Sequence, residues 1–205
     1  MTLVVDRLRI ARGGRTIIDD RSLRVDAGEI VGLVGVNGCG KSTLLACIAG
    51  VLPPKDGRVE IAGASVWGSS GQRQRARSHL GYVPEAADPP GFLRAEELWA
   101  LCAASRQVSS RPDEEVAARL GLAEIATLTL DRMSLGQRRR ACLGAALIGA
   151  PKLLVLDEPD NGLDVKRLEA LVTIVKDHAA AGGATILASH DATWLDELGA
   201  RRIGL

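Results

Sequence analysis

Apolar positions along the chain follow two rhythms: short runs rich in Val, Ile and Leu, and longer stretches with helical spacing. Residues 2–9 and 16–25 alternate apolar and polar side chains, which predicts an antiparallel pair of strands turning at Gly13-Gly14. Residues 29–35 read as a buried strand running into a helix that lasts through Ala49. Gly50 ends that helix and Pro53-Pro54 blocks its extension. Further strands are predicted over 57–62, 79–83, 152–157 and 184–189, with a polar, basic loop or exposed helix over 68–77. From Glu85 to about Gly149 the strand signals vanish, and helices are expected near 94–105, 112–120 and 135–149. A last helix over 165–181 is stopped by Gly182-Gly183. Buried strands alternating with helices predict an α/β fold, a mostly parallel sheet with crossover helices. Residues 1–85 and 150–205 would form the main lobe of a single domain, and residues 86–149 an inserted helical lobe.

The junction between the strand at 29–35 and its helix carries Gly35-Val36-Asn37-Gly38-Cys39-Gly40-Lys41-Ser42-Thr43, the G-x-x-x-x-G-K-S pattern of a phosphate loop. Glycines let the backbone wrap phosphate oxygens, while the amides and dipole of the helix start favour an anion. Lys41 would contact the β- and γ-phosphates of ATP, and the Ser42 hydroxyl would ligate Mg²⁺. A second acidic site follows the apolar strand 152–157: Asp157 and Glu158 stand at its carboxyl end, the edge where open α/β sheets bind ligands. Asp157 fits an acid that holds Mg²⁺ through water, and Glu158 a base that polarises the attacking water. Alone, such a strand end is as often a capped turn; the upstream phosphate loop gives it weight.

Composition narrows the class. The 205 residues suit one domain, 46% are hydrophobic and 25% charged, and with only 2% aromatics the core must be built from aliphatic side chains. A net charge of +1 argues against nucleic acid or a polyacidic partner. No run approaches 18 apolar residues, and the N-terminus lacks a signal-peptide layout. The four cysteines lack metal or redox spacing and read as reduced thiols of a cytosolic protein. Because Cys39 lies inside the phosphate loop, its alkylation is expected to block ATPase activity, with bound nucleotide protecting it.

Further motifs follow in order: Glu85 at a glutamine-loop position, Met133-Ser134-Leu135-Gly136-Gln137, Asp157-Glu158, Asn161-Gly162-Leu163-Asp164 and Ser189-His190. With the phosphate loop they make six, and over nearly the whole chain they resemble the ATP-binding cassette (ABC) ATPases. The resemblance implies a phosphate-loop NTPase (RecA-like) core with an N-terminal antiparallel β subdomain and an inserted α-helical subdomain. It implies a catalytic set of Glu158, His190 and Lys41, His190 binding the γ-phosphate. It implies ATP contacts from Gly35, Asn37, Gly38, Cys39, Gly40, Lys41, Ser42 and Thr43. Ser134, Gly136 and Gln137 of one subunit would cover the γ-phosphate bound to the other, and Asp164 would sit at the seam. Ser134 and Gln137 also form an S-x-x-Q capping box at a helix start. Mg²⁺ would be held by Ser42, Asp157 and Glu85.

Three residues depart from the family pattern. Leu135 replaces the first of two adjacent glycines, so the segment either binds phosphate less tightly or keeps ordinary helical angles. Glu85 stands where glutamine is usual, in a Tyr-Val-Pro-Glu form similar to simple bacterial exporters. Arg12 stands where an aromatic usually stacks on adenine; it either stacks there itself or is a solvated turn residue.

The function implied is the ATPase subunit of an exporter, dimerising with itself or a close relative and driving a separate membrane permease at the cytoplasmic face of the membrane. The permease would dock near Glu85 and residues 86–100, where Phe92, Leu93, Leu98 and Trp99 serve either docking or the core. The competing reading is a non-transport cassette ATPase acting on a soluble macromolecule.

Overall fold

The computed structural model describes residues 1–86, 89–108 and 111–205. Strands β1 (Leu3–Arg12) and β2 (Arg15–Val25) form the expected hairpin, β3 (Ile30–Val34) follows, and α1 (Lys41–Ile48) starts within the phosphate loop. Strands β4 (Asp56–Ile61) and β5 (Ala64–Ser65), helix α2 (Ser70–Ser78) and strand β6 (Leu80–Val83) come next. Helix α2 resolves the open reading of 68–77: Ser69 and Gln72 form a reciprocal capping box that starts it. Helices α3 (Ala95–Arg106), α4 (Glu114–Leu120) and α5 (Leu135–Leu147) follow, and no named strand interrupts them among the described residues. The chain finishes with β7 (Leu153–Asp157), α6 (Val165–Ala180), β8 (Ala184–Ala188), α7 (Ala192–Glu197) and β9 (Arg201–Gly204).

Two sheets result. The antiparallel one has the order β2-β1-β4-β5, and the parallel one the order β6-β7-β8-β3-β9. The parallel sheet is buried on both faces, which is why its central strands read as continuous apolar runs. Val31, Leu33, Leu153, Val155 and Ile186 pack with the antiparallel sheet and with Leu44, Leu45 and Ile48 of α1. Leu154, Leu156 and Leu187 point the other way, into a core shared with α3, α5, α6 and α7.

Helix α7 and strand β9 lie beyond the predicted elements. Helix α7 spans only six residues, started by the Asp191 carboxylate and held by Trp194, 2% exposed. Strand β9 (Arg-Arg-Ile-Gly) is an edge strand with no fully buried residue, so no apolar run announces it. The expected docking contacts divide: Phe92 is 76% exposed, but Trp99 is core, 6% exposed, its indole N–H donating to the Ala141 carbonyl at 2.9 Å. Residues 87 and 88 of the expected docking stretch lie outside the described residues. No helix among the described residues is long and apolar enough to cross a membrane.

Candidate functional site

In the parallel order β7-β8-β3 the carboxyl ends of three neighbouring strands open on one edge. Strand β3 delivers the phosphate loop there, β7 delivers Asp157 and Glu158, and β8 delivers Ser189 and His190. The loop turns tightly into α1 at Gly40, whose φ is 109°. A Cβ at Gly40 would lie 2.9 Å from Ile17 Cγ2 and from Ile18 Cδ1, so β2 packs directly under the loop and leaves room only for glycine. The amides of the first turn of α1 have no carbonyl four residues back within the helix, which leaves them free to meet an anion.

A cavity of about 360 Å³ occupies this edge. The phosphate loop contributes Asn37, Gly38, Gly40, Lys41, Ser42 and Thr43; Glu85, Glu158 and His190 form the opposing wall; Arg12 and Ile17 stand at the end of the antiparallel sheet. Arg12, exposed at the end of β1 beside the Gly13-Gly14 turn, lies on the cavity lining. Gly35 and Cys39 are not on the wall. The Cys39 sulfur turns back against Gly35, 2.7 Å from where a Cβ would sit. The Cys39 amide donates to the Val36 carbonyl at 3.2 Å, so neither the thiol nor the amide of Cys39 lines the cavity in this structure.

Lys41 is buried, and its ammonium donates to the Gly35 carbonyl at 2.9 Å. The Ser42 hydroxyl donates to Asp157 Oδ1 at 3.1 Å, joining residues 115 apart in sequence. Burial pushes the Asp157 carboxyl above its ordinary range and neighbouring Glu85 adds to the rise, while the Ser42 hydrogen bond opposes it. Ser42, Asp157 and Glu85 form a set of hard oxygen donors of the kind Mg²⁺ prefers.

Glu158 sits just past β7 at φ 46°, a left-handed conformation costing a non-glycine residue on the order of 1–3 kcal/mol. Its amide donates to the Ala188 carbonyl at 2.9 Å, which ties it to the end of β8. Its carboxylate Oε1 lies 3.1 Å from His190 Nε2. Burial raises the Glu158 carboxyl and His190 counters part of the rise. A buried carboxyl of raised affinity for protons, 3.1 Å from an imidazole nitrogen and lining the cavity, can accept a proton from water.

Ser134, Gly136, Gln137 and Asp164 do not reach this cavity within one chain. Ser134 caps α5 as the sequence predicts: its hydroxyl accepts from the Gln137 amide at 3.2 Å, and its own amide donates to Gln137 Oε1 at 2.9 Å. Leu135 has no positive φ, so the departure from glycine is accommodated by ordinary helical angles. Gly136 is required by close approach: a Cβ there would lie 2.4 Å from the Gly162 carbonyl. Asp164 caps α6, accepting from the Arg167 amide at 2.8 Å. Ser134 and Asp164 are exposed, and Gly136 and Gln137 half-buried.

Sequence reasoning missed three polar residues. Asp160 Oδ2 accepts from the Ser189 hydroxyl at 3.2 Å, and that hydroxyl accepts from the Asp191 amide at 3.0 Å, which braces the turn carrying His190. Arg139 is buried at 3% exposure although it lies in the run Arg138-Arg139-Arg140. Nothing in that run's spacing distinguishes the buried member.

The family model described as "ABC transporter" matches residues 18–161. The chain belongs to the ABC transporter family. It is an ATP-binding, ATP-hydrolysing domain of that family. The chain is 35% identical over 190 residues to the cytochrome c biogenesis ATP-binding export protein CcmA of Nitrosococcus oceani, covering 93% of this chain and 86% of that protein. It is 36% identical over 195 residues to the zinc import ATP-binding protein ZnuC of Cereibacter sphaeroides, covering 93% and 74%. Among solved structures, an ATP-binding subunit of an ABC transporter superposes with a TM-score of 0.88 at 26% identity, over 97% of this chain and 83% of that one. The dimeric bacterial cassette MJ0796 superposes with a TM-score of 0.85 over 99% and 94%, and at 23% identity it attests the ABC fold alone.

Proposed function

We propose that this ABC domain binds Mg²⁺-ATP in the cavity at the carboxyl edge of the parallel sheet, and that Glu158 is the base for its hydrolysis. The observation that carries the reading is the 3.1 Å contact of Glu158 Oε1 with His190 Nε2, opposite Lys41 on the cavity wall. Lys41 and the amides of residues 37–38 and 40–43 bind the β- and γ-phosphates. Glu158 takes the proton of the attacking water, and His190 orients the Glu158 carboxylate and meets the γ-phosphate. Ser42, Asp157 and Glu85 would hold Mg²⁺, which supplies neutralisation of phosphate charge.

In this reading residues 86–149 act as a helical subdomain on a core of 1–85 and 150–205. Two such domains, identical or closely related, pair head to tail. Ser134, Gly136 and Gln137 of one close on the ATP held by the other, with Asp164 at the seam. The pair sits at the cytoplasmic face of a membrane and drives a separate permease that docks beside Glu85 and Phe92. The relatives' names span export and import; export is proposed here on the Tyr82-Val83-Pro84-Glu85 form, and outward substrate movement by the reconstituted complex tests it.

Glu158→Gln tests the chemistry. ATP binding is expected to survive, turnover to fall by about two orders of magnitude or more, and an ATP-dependent dimer to accumulate in size-exclusion chromatography. Wild-type turnover in this variant would remove Glu158 as the base.

A further inference from the structure

Arg139 lies on α5, the helix whose first turn carries Ser134, Gly136 and Gln137. Its guanidinium leaves that helix and donates to two successive backbone carbonyls, Pro84 at 2.8 Å and Glu85 at 2.7 Å, 55 and 54 residues away. Those carbonyls follow the end of β6, where the chain leaves the sheet and loses its ladder partners. An arginine fork spans two adjacent acceptors, which a lysine ammonium does not do with the same fixed geometry. Glu85 lines the cavity, as does Ser42, whose hydroxyl donates to Asp157. Arg139 therefore joins the helix that begins at Ser134 to the segment that carries Glu85, a residue of the cavity lining shared with the phosphate loop.

We propose that Arg139 is a positioning residue that ties helix α5 to the Pro84-Glu85 backbone, so that nucleotide in the cavity orients the Ser134 end of that helix. The proposal rests on the functional reading given above. Three features support a coupling role beyond packing: the arginine is nearly fully buried, it reaches the segment bearing a cavity-wall residue, and it leaves from a helix whose head faces solvent. Its charge also lies among Asp157, Asp160 and Glu85. The link itself is to backbone carbonyls, so it is independent of whether residue 85 is an acid.

Hydrogen–deuterium exchange of the monomeric chain with and without Mg²⁺-ADP tests the link directly. In the unmodified chain, nucleotide is expected to slow exchange at residues 85–86 and at 135–138 together. In Arg139→Gln the slowing should persist at 85–86 and vanish at 135–138. In steady-state assays the same variant should lose about tenfold or more in kcat, with KM for ATP within roughly threefold. Adding Glu85→Gln should restore neither. Should Arg139→Gln not fold, Arg139→Lys keeps the buried charge and should show the same exchange pattern with a smaller loss of kcat. Retained nucleotide response at 135–138, unchanged kcat, or rescue by Glu85→Gln would each overturn the link. Absence of any nucleotide binding in the unmodified chain would instead overturn the reading of the cavity on which the link rests.

Discussion

The phosphate-loop edge and the face around Ser134 are built from similar parts and end in different states. Both offer a helix start to an anion. At the phosphate loop that start faces a cavity whose opposite wall, Glu85, Glu158 and His190, belongs to the same chain. At Ser134 the helix start is exposed, and its cap hydrogen bonds are closed locally by Gln137. The first region is organised by strand order and is complete within one chain. The second is organised by its own capping box and by the approach of Leu135 and Gly136 to Gly162. The contrast teaches that one chain holds a site for binding nucleotide, while the surface expected to close over it is presented outward.

The comparison is open to being broken in order of expected effect. Lys41→Ala strikes the enclosed half. Hydrogen bonds to charged groups contribute about 1.5–3 kcal/mol and each 1.4 kcal/mol is tenfold in affinity, so calorimetry should show ATP binding weakened by roughly 100-fold. An affinity within threefold of wild type would mean that the cavity is not the nucleotide site. Ser134→Ala strikes the exposed half. Loss of the N-cap should lower stability by about 1 kcal/mol, and ATP binding to the monomer should stay as in wild type while turnover falls. Equal loss of monomer affinity and turnover would place Ser134 in the same enclosed site as Lys41 and erase the distinction.

The smallest effect concerns the charge held at the enclosed edge. Burial raises the carboxyls of Asp157, Glu158 and Asp160. An acid whose folded pKa exceeds its unfolded value stabilises the fold fully below the ordinary carboxylate range, and that contribution is lost as pH climbs through the raised value. The nucleotide-free chain should therefore lose part of its stability as pH rises from about 4 towards neutrality. Asp157→Asn should remove part of that loss and raise the neutral-pH Tm by roughly 2 °C. Scanning calorimetry at two pH values checks the sign: a lower Tm for Asp157→Asn at neutral pH contradicts it.

Most of the fold was legible from patterns of short range. Strands β3, β7 and β8 announce themselves as apolar runs, α6 ends at Gly182-Gly183, and the Ser134–Gln137 box starts α5 where expected. The phosphate loop was legible because its function needs glycines and a lysine at fixed local spacing. Helix α7 and strand β9 were not, since one is shorter than two turns and the other is an edge strand of exposed arginines. Trp99 carried an ambiguity between surface and core that only its neighbours could settle.

Spacing along a chain encodes what lies within a turn or two, and there the residues alone decided the loop, the caps and the strand ends. The meeting of Ser42 with Asp157, of Glu158 with His190, and of Arg139 with Pro84 depends on which strands become neighbours in the sheet. That order is set by burying two apolar faces at once, a property of the packed whole that no local run of side chains contains.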